Sequence, residues 1–170
     1  MTDAGSIPQS EAIAFFLTWT TYGSWLPGDA RGWFDRRGRF QSPRPSVAFV
    51  AERRLAERPV VFDDRQRSAV ERAVEAHCRH RGWHLHAVHC RREHVHAVVT
   101  AVGRSPDDVL AQLKAWCTRV LAAGGDGTRR RWWTEGGSKR WVFHECDLVD
   151  VVAYVKECQG VPTRSYSESE

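Results

Sequence analysis

The sequence predicts an α+β domain in which helices pack against a mainly antiparallel sheet. Two segments begin with strong helix-start signals and continue with regularly spaced apolar positions. Two further pairs of short, β-branched or aromatic-rich stretches are joined by only a few residues, as in antiparallel hairpins. From residue 12 to residue 160 the predicted order is therefore β, loop, α, β, β, α, β, β, α.

Composition limits the class of protein. The 170 residues include 25 basic and 21 acidic side chains, giving a formal charge of +4 and a pI near 9.0, which permits a nucleic-acid partner. No run of about 18 apolar residues predicts a membrane span, and five scattered cysteines without a C-x-x-C pair argue against a disulfide framework. We expect a cytoplasmic protein, nucleoid-associated when acting, with a disordered leader at 1–11, one domain at 12–160 and a flexible tail at 161–170.

The first third of the chain predicts one strand and a long loop. Residues 12–22 are β-branched and aromatic-rich and are followed by Gly-Ser, which predicts a buried strand. Residues 27–60 are rich in Gly, Pro and Arg and predict a long loop with a short helix at about 47–57. An aspartate at 63 or 64 can then cap a helix that runs to about residue 81.

The middle of the chain predicts a hairpin followed by a helix. The alternating stretches 83–90 and 94–102 are joined by three polar residues, which favours an antiparallel pair. Ser105 followed by Pro106 and two aspartates predicts the start of a helix that continues to about residue 122.

The last third predicts a second hairpin and a final helix. Residues 132–143 are aromatic-rich on both sides of Gly136-Gly137, which we interpret as a hairpin turn. Asp147 is expected to open a helix that stops at Gly160.

His94-Val95-His96 is the most distinctive short pattern. Residues i and i+2 of a strand point to the same face, so both imidazoles can reach one divalent cation. The alternative is two surface histidines on a half-exposed strand. His84-Leu85-His86 on the partner strand has the same spacing, so spacing alone does not choose between the pairs.

Tyr154 lies on the last predicted helix, beside its apolar stripe. At about 100° per residue, Tyr154 falls about 110° from the centre of the stripe. A tyrosine on this flank can present its hydroxyl to a neighbouring site, although an amphipathic tyrosine at a boundary is an equally common explanation. The stripe consists of Leu148, Val151, Val152 and Val155.

Basic and aromatic residues are mixed in two stretches, and the chain has eight tryptophans. Cations can neutralise phosphates while exposed indoles stack on unpaired bases, which suits single-stranded nucleic acid. The alternative is a solvated arginine face above buried tryptophans. The candidate contacts are Arg31 and Trp33 in the early loop, and Arg129, Arg130, Arg131, Trp132, Lys139 and Arg140 near the second hairpin.

Taken together, these motifs resemble the single-tyrosine HUH transposases, which include the insertion-sequence and repeat-associated tyrosine transposases. The resemblance rests on residues 92–99 (REHVHAVV), the later helical Tyr154, the opening LTWTTYGSWLPGDARGW and the KAW segment that begins at Lys114. It implies a ferredoxin-like fold and cleavage of single-stranded DNA. His94 and His96 match the metal ligands, Tyr154 matches the nucleophile, and we add Lys114 to the candidate DNA contacts.

The resemblance also implies a third, polar metal ligand four residues after the tyrosine, where this chain has Cys158. A thiol is a poor ligand for Mg²⁺. Three alternatives remain open: Gln159 turns in, an acidic residue such as Glu157 or Asp150 serves, or the two histidines, DNA phosphate and water suffice.

The sequence therefore predicts a metal-dependent DNA transposase that cleaves and rejoins single-stranded DNA through a 5′-phosphotyrosine intermediate. We expect Mg²⁺ or Mn²⁺ as the cofactor and single-stranded DNA, with a hairpin, as the partner of a monomer or homodimer. The alternative is a domesticated or inactive protein that binds DNA hairpins without strand transfer. A replication initiator or relaxase is disfavoured, because no second domain is evident in this chain.

Overall fold

The computed structural model describes residues 12–35, 37–125 and 127–157. Six strands are present: β1 Ala14–Thr20, β2 Trp33–Phe34, β3 Phe40–Gln41, β4 His84–Cys90, β5 His94–Thr100 and β6 Ser138–Val142. The helices are α1 Pro45–Arg53, α2 Asp64–Arg81, α3 Pro106–Gly124 and α4 Glu145–Glu157. None of the described helices is long and apolar enough to cross a membrane.

The main sheet has four antiparallel strands in the order β4-β5-β1-β6. Its strands β1 and β5 lie in the middle and are buried on one face by α2 and α3. The helix α4 covers part of the opposite face, where it packs against a smaller apolar cluster. The predicted α+β class with a mainly antiparallel sheet is confirmed.

The helix boundaries follow from the predicted capping residues. The carboxylate of Asp63 accepts a hydrogen bond from the Gln66 backbone N–H, and the Gln66 side chain accepts from the Asp63 N–H in return. The helix α2 ends at Gly82, which has a left-handed φ of 68°. Ser105 caps α3 and Pro106 occupies its first turn, as predicted.

The predicted second hairpin is wrong. Trp133 bridges to Thr21, and β6 continues antiparallel along the same strand, pairing Ser138 with Thr18 and Val142 with Ala14. The two arms therefore form one interrupted strand beside β1, and the intervening glycines form a bulge rather than a turn. Gly137 makes this possible, because a Cβ there would lie 2.8 Å from the Thr18 carbonyl oxygen.

Three predicted features lie outside the described residues. They are the leader at 1–11, the tail at 161–170 and the end of the last helix at Gly160. The long segment after β1 does contain the predicted short helix, as α1, and it also contains the two-stranded sheet β2-β3.

A candidate active site on the open face of the sheet

The pair His94 and His96 projects from the central strand β5 toward the face that α4 covers. Their ring centroids are 4.8 Å apart, and both side chains are half-buried. The intervening Val95 and the following Ala97 are fully buried on the opposite face. The alternation of β5 thus brings the two imidazoles together, as the spacing predicted.

The surroundings of the pair keep both imidazoles neutral. Burial lowers the pKa of His94 to about 4, with a smaller contribution from the positive charge of Arg91. Burial also lowers the pKa of His96 to about 3, with His94 as the next cause. A neutral imidazole has a free lone pair, which is the form that binds a metal ion.

Thr18 orients one ring of the pair. It lies opposite His96 in the β1–β5 register, and its Oγ1 is 2.9 Å from His96 Nδ1. A hydrogen bond at Nδ1 leaves Nε2 as the nitrogen available to a ligand, which is a common arrangement around metal-binding histidines.

The Phe16 ring joins the candidate catalytic groups. It stacks on His96 with ring centroids 5.7 Å apart, and it meets the Tyr154 ring edge-on at 6.1 Å. The His96 and Tyr154 rings are themselves 5.8 Å apart. On the remaining side, the Arg140 guanidinium lies 6.0 Å from the Phe16 centroid. One side chain therefore contacts an imidazole, a phenol and a cation.

The position of Tyr154 follows from the amphipathic pattern of α4. The predicted apolar stripe packs against the sheet cluster, and Val155 at its centre is 2% exposed. Tyr154 is half-buried beside this stripe, on the flank that faces His96. The helix thus anchors the tyrosine next to the histidines.

A basic cavity opens beside His94. Its volume is about 340 Å³, and it is lined by Arg67, His89, Arg91, Arg92, Glu93 and His94. Three guanidiniums and one carboxylate line the cavity, and although Arg67 also pairs with Asp64, the positive charges outnumber the negative ones, which suits a phosphate group. Neither Phe16 nor these three arginines was singled out from the sequence. Only the R-R-E-H run contained a signal, since it places charges directly before the histidines.

The residues present fit a divalent cation in part. Two neutral imidazoles on one face supply two nitrogen ligands, and the open face leaves room for phosphate and water oxygens. Within the described ranges, no group of three or more His, Cys, Asp or Glu side chains is placed to hold a metal. Glu157 is exposed at the end of α4, while Cys158 and Gln159 lie outside the described residues.

The competing pair His84 and His86 occupies the other end of this face. Their ring centroids are 4.4 Å apart, and His86 Nε2 is 2.8 Å from Thr100 Oγ1. A register irregularity in β4 next to His86 accompanies this placement. The ring of Tyr154 contacts His96, and no ring contact with this pair is present among the described residues.

Four of the residues predicted to contact DNA make contacts within the protein instead. The Lys114 ammonium donates to the carbonyls of Thr134 and Gly136, at 2.7 and 2.8 Å, and so ties α3 to the glycine bulge. Lys139 pairs with Asp107 on the α3 side of the sheet. Arg129 bonds to the Arg58 and Arg131 carbonyls and pairs with Glu57.

Trp132 is the fourth engaged residue, and for its ring the alternative of burial beneath the arginines is correct. It is only 7% exposed and stacks on Phe62 in the main core. Trp33 is half-buried, and its indole N–H is buried with no hydrogen-bond partner among the described residues. Both indoles therefore turn inward because the flat apolar ring gains more from packing than from solvent.

The remaining predicted contacts are accessible. Arg130 and Arg131 are on a cavity of about 460 Å³ that Tyr22 and Trp25 also line. Arg31 is exposed, pairs with Asp29 and lies over the Trp25 ring at 5.3 Å. The structure thus brings the early loop and the 129–133 segment together around one cavity.

Comparison with solved structures identifies the fold. A REP-associated tyrosine transposase bound to a REP hairpin matches with a TM-score of 0.50 and 15% identity, over 91% of this chain and 70% of that chain. This chain has the fold of that tyrosine transposase. A Deinococcus radiodurans protein provisionally assigned as a transposase matches 90% of this chain and 95% of its own length, with 12% identity and a TM-score of 0.49. No protein-family model and no curated protein matches the sequence.

The tyrosine transposase fold agrees with the predicted HUH-type architecture. The histidine pair lies on a central strand of the antiparallel sheet, and the candidate tyrosine lies on the last helix.

Proposed function

We propose that this protein is a transposase that cleaves and rejoins single-stranded DNA with Tyr154 as its nucleophile. The convergence of His94, His96 and Tyr154 around Phe16 carries the proposal. The shared fold supports it, and so does the REP hairpin that the transposase of that fold binds. We therefore propose a DNA hairpin next to a single strand as the substrate.

The reaction we propose is a transesterification. The Tyr154 oxygen attacks the scissile phosphorus, its proton is lost, and a tyrosine–phosphate bond forms while the bond from phosphorus to the 3′ oxygen breaks. The products are a 5′-phosphotyrosine link and a free 3′-hydroxyl. Attack by a 3′-hydroxyl on that link reverses the step and joins a new end, because the covalent bond conserves the energy of the phosphodiester.

The histidines are proposed to hold a divalent cation, Mg²⁺ or Mn²⁺. Such an ion would polarise the scissile phosphate and offset the charge that develops on its oxygens. The ring stacking of Phe16 and the hydrogen bond between His96 Nδ1 and Thr18 Oγ1 hold the His96 ring, and its Nε2 is the nitrogen proposed to bind the cation.

The chain's own cations are proposed to place the phosphates. Arg140 lies over the Phe16 ring that Tyr154 also contacts, and it is proposed to attract the phosphate under attack. The arginines of the cavity beside His94 would hold a neighbouring phosphate of the same strand. Holding two phosphates fixes the strand in line with the tyrosine oxygen.

An adduct assay tests the proposal. Labelled hairpin oligonucleotides with single-stranded flanks of randomised sequence are incubated with the protein and Mn²⁺, then denatured and separated by size. We expect a labelled band at the mass of the protein plus DNA, dependent on metal and lost in Tyr154→Phe and His96→Ala. His84→Ala is the matched control and should retain the band.

Two results would overturn the enzyme reading. An equal yield from Tyr154→Phe would remove the tyrosine from the chemistry. Tight hairpin binding with no adduct under any metal would favour the alternative, a hairpin-binding protein without strand-transfer activity.

A further inference from the structure

Three aromatic rings form a row on the surface of the segment that follows β1. Trp25, Phe34 and Phe40 are 37%, 59% and 60% exposed. Their ring centroids are 6.4 Å apart between Trp25 and Phe34, and 5.6 Å apart between Phe34 and Phe40. We call these three side chains the aromatic row. Contiguous exposed rings of this kind mark an interaction surface, because single exposed apolar residues are common but clusters are not.

The aromatic row is held in place by its own segment rather than by the main core. The Trp25 indole N–H donates to the Gly32 carbonyl oxygen at 2.7 Å. The Phe40 ring packs directly on the Gly32 backbone, where a Cβ would lie 2.2 Å from the ring. The neighbouring helix α1 has no buried residue. The rings are therefore fixed yet open to solvent, which favours a surface ready to bind.

The segment that contains the aromatic row is basic, which favours a polyanionic partner. Residues 25–54 contain seven arginines against three acidic residues, a formal charge of +4. The other 140 residues carry 18 basic and 18 acidic side chains, so the entire net charge of the chain resides in this segment. Arg37, Arg44 and Arg54 are exposed, and none of the three forms an ion pair within the described ranges.

The aromatic row also begins next to the candidate active site. Ser24, which precedes Trp25, donates its hydroxyl to the Thr21 carbonyl at 2.7 Å and lies 3.4 Å from the Glu93 carbonyl. Glu93 is the residue before His94. A strand with one phosphate at the histidines can therefore continue directly onto Trp25.

We propose that the aromatic row binds the unpaired bases of the single-stranded DNA that flanks the cleavage site. This inference rests on the proposed function in taking single-stranded DNA as the substrate. Every base has a π-face, so successive rings can stack on bases of any sequence while the arginines contact the phosphates. A second copy of the chain fits the surface less well, because it would bring two segments of charge +4 together.

Binding measurements test the inference without any cleavage. In a Tyr154→Phe background, the affinity for a fluorescent oligothymidine of about 15 nucleotides is measured by anisotropy. We expect Phe40→Ala and Phe34→Ala each to weaken binding about tenfold, as for the loss of one stacked base. Phe40→Leu should weaken it equally, whereas Phe40→Tyr should retain the affinity of the parent.

Phe143→Ala is the location control. Phe143 is 41% exposed and directly follows Val142, which pairs with Ala14 at the start of β1. The aromatic row follows the end of β1, so Phe143 lies at the opposite end of that strand. An equal loss of affinity in Phe143→Ala would overturn the assignment to the aromatic row. Full affinity in Phe40→Leu would also overturn it, since only apolar bulk would then matter.

Sedimentation of the protein without DNA tests the other candidate partner of the aromatic row, a second copy of the chain. A dimer that dissociates on Phe34→Ala, with unchanged oligothymidine affinity, would replace the inference with a protein–protein interface. Failure of the adduct assay with ring-dependent oligothymidine binding would instead refute the proposed reaction and leave this inference standing.

Discussion

Replacing Gly137 by alanine should destabilise the protein far more than the same change at Gly136. Both glycines have positive φ, 75° at Gly136 and 154° at Gly137, so alanine is strained at either position. The two differ in their surroundings. A Cβ at Gly136 has no heavy atom within 4 Å, whereas one at Gly137 would lie 2.8 Å from the Thr18 carbonyl oxygen and 2.9 Å from Leu110 Cδ2.

These contacts set the expected magnitudes. An alanine in the left-handed backbone conformation lowers the free energy of unfolding by about 1 kcal/mol, which is the whole effect expected for Gly136→Ala. The conformation of Gly137 is almost confined to glycine and costs alanine about 1–3 kcal/mol. Overlap with backbone that cannot move without breaking the β1–β6 ladder adds about 1–3 kcal/mol. We therefore expect Gly137→Ala to lower the free energy of unfolding by about 3 kcal/mol or more.

Urea denaturation of the two variants and the parent measures the difference. With equal slopes, the midpoint of Gly137→Ala should fall well below that of Gly136→Ala. Equal midpoints would refute the close approach of Gly137 to β1. They would instead agree with an exposed Gly-Gly turn, in which both positions point into solvent.

Three further predictions concern charge, pH and thiols. Arg140→Gln should slow adduct formation about tenfold or more in a time course, since it removes the cation over the Phe16 ring that Tyr154 also contacts, whereas Lys139→Gln on the opposite face should leave the rate unchanged. Burial lowers the pKa of His77, so the unfolded state takes up a proton at a higher pH than the folded state does. The contribution of neutral His77 to the free energy of unfolding is therefore fully present above pH 6.5 and falls as the pH is lowered from there. His77→Gln should reduce this loss of stability between pH 7 and pH 5 in urea titrations. Iodoacetamide should label the exposed Cys146 in the native protein, as mapped by mass spectrometry. The buried thiols of Cys78, Cys90 and Cys117 should react only after denaturation, because burial excludes the reagent and raises their pKa values.

Elements whose boundaries are set by local chemistry could be predicted. The helices α2 and α3 start where Asp63 and Ser105 supply caps, and the β4–β5 hairpin follows from alternation around a short polar link. The apolar stripe of α4 was also correct, because its burial depends only on helical periodicity.

The strand around Gly136-Gly137 could not be predicted from its own residues. Two glycines between aromatic stretches suit a hairpin turn and a bulge equally well. The choice depends on the edge of β1 and the residues that follow it, where backbone groups of Thr20 and Tyr22 form hydrogen bonds with Thr134 and Trp132, which precede β6 in the chain. That edge lies more than a hundred residues earlier in the chain.

The exposure of the aromatic row could not be predicted from the sequence for a related reason. The strands β2 and β3 have two residues each, which is too short for any periodicity to show which ring faces outward. The sequence directed attention to Trp33, whereas its neighbour Phe34 is the exposed ring. Which side of so short a strand faces solvent is decided by the packing of Phe40 on Gly32, a tertiary contact.

The choice between the two histidine pairs shows the same dependence on tertiary structure. Both pairs lie on one face of the sheet, and both bring their rings within 5 Å, so spacing and face cannot separate them. The direction of α4 separates them, because it sets Tyr154 against His96 while Lys156, two residues further on, lies close enough to His86 to affect its charge. If α4 were shifted along its axis by one helical turn, it would present a different side chain to each histidine pair. The candidate site is therefore a property of how α4 packs through its apolar stripe, and substitutions in that stripe should disturb the proposed reaction without changing any of the residues proposed to take part in it.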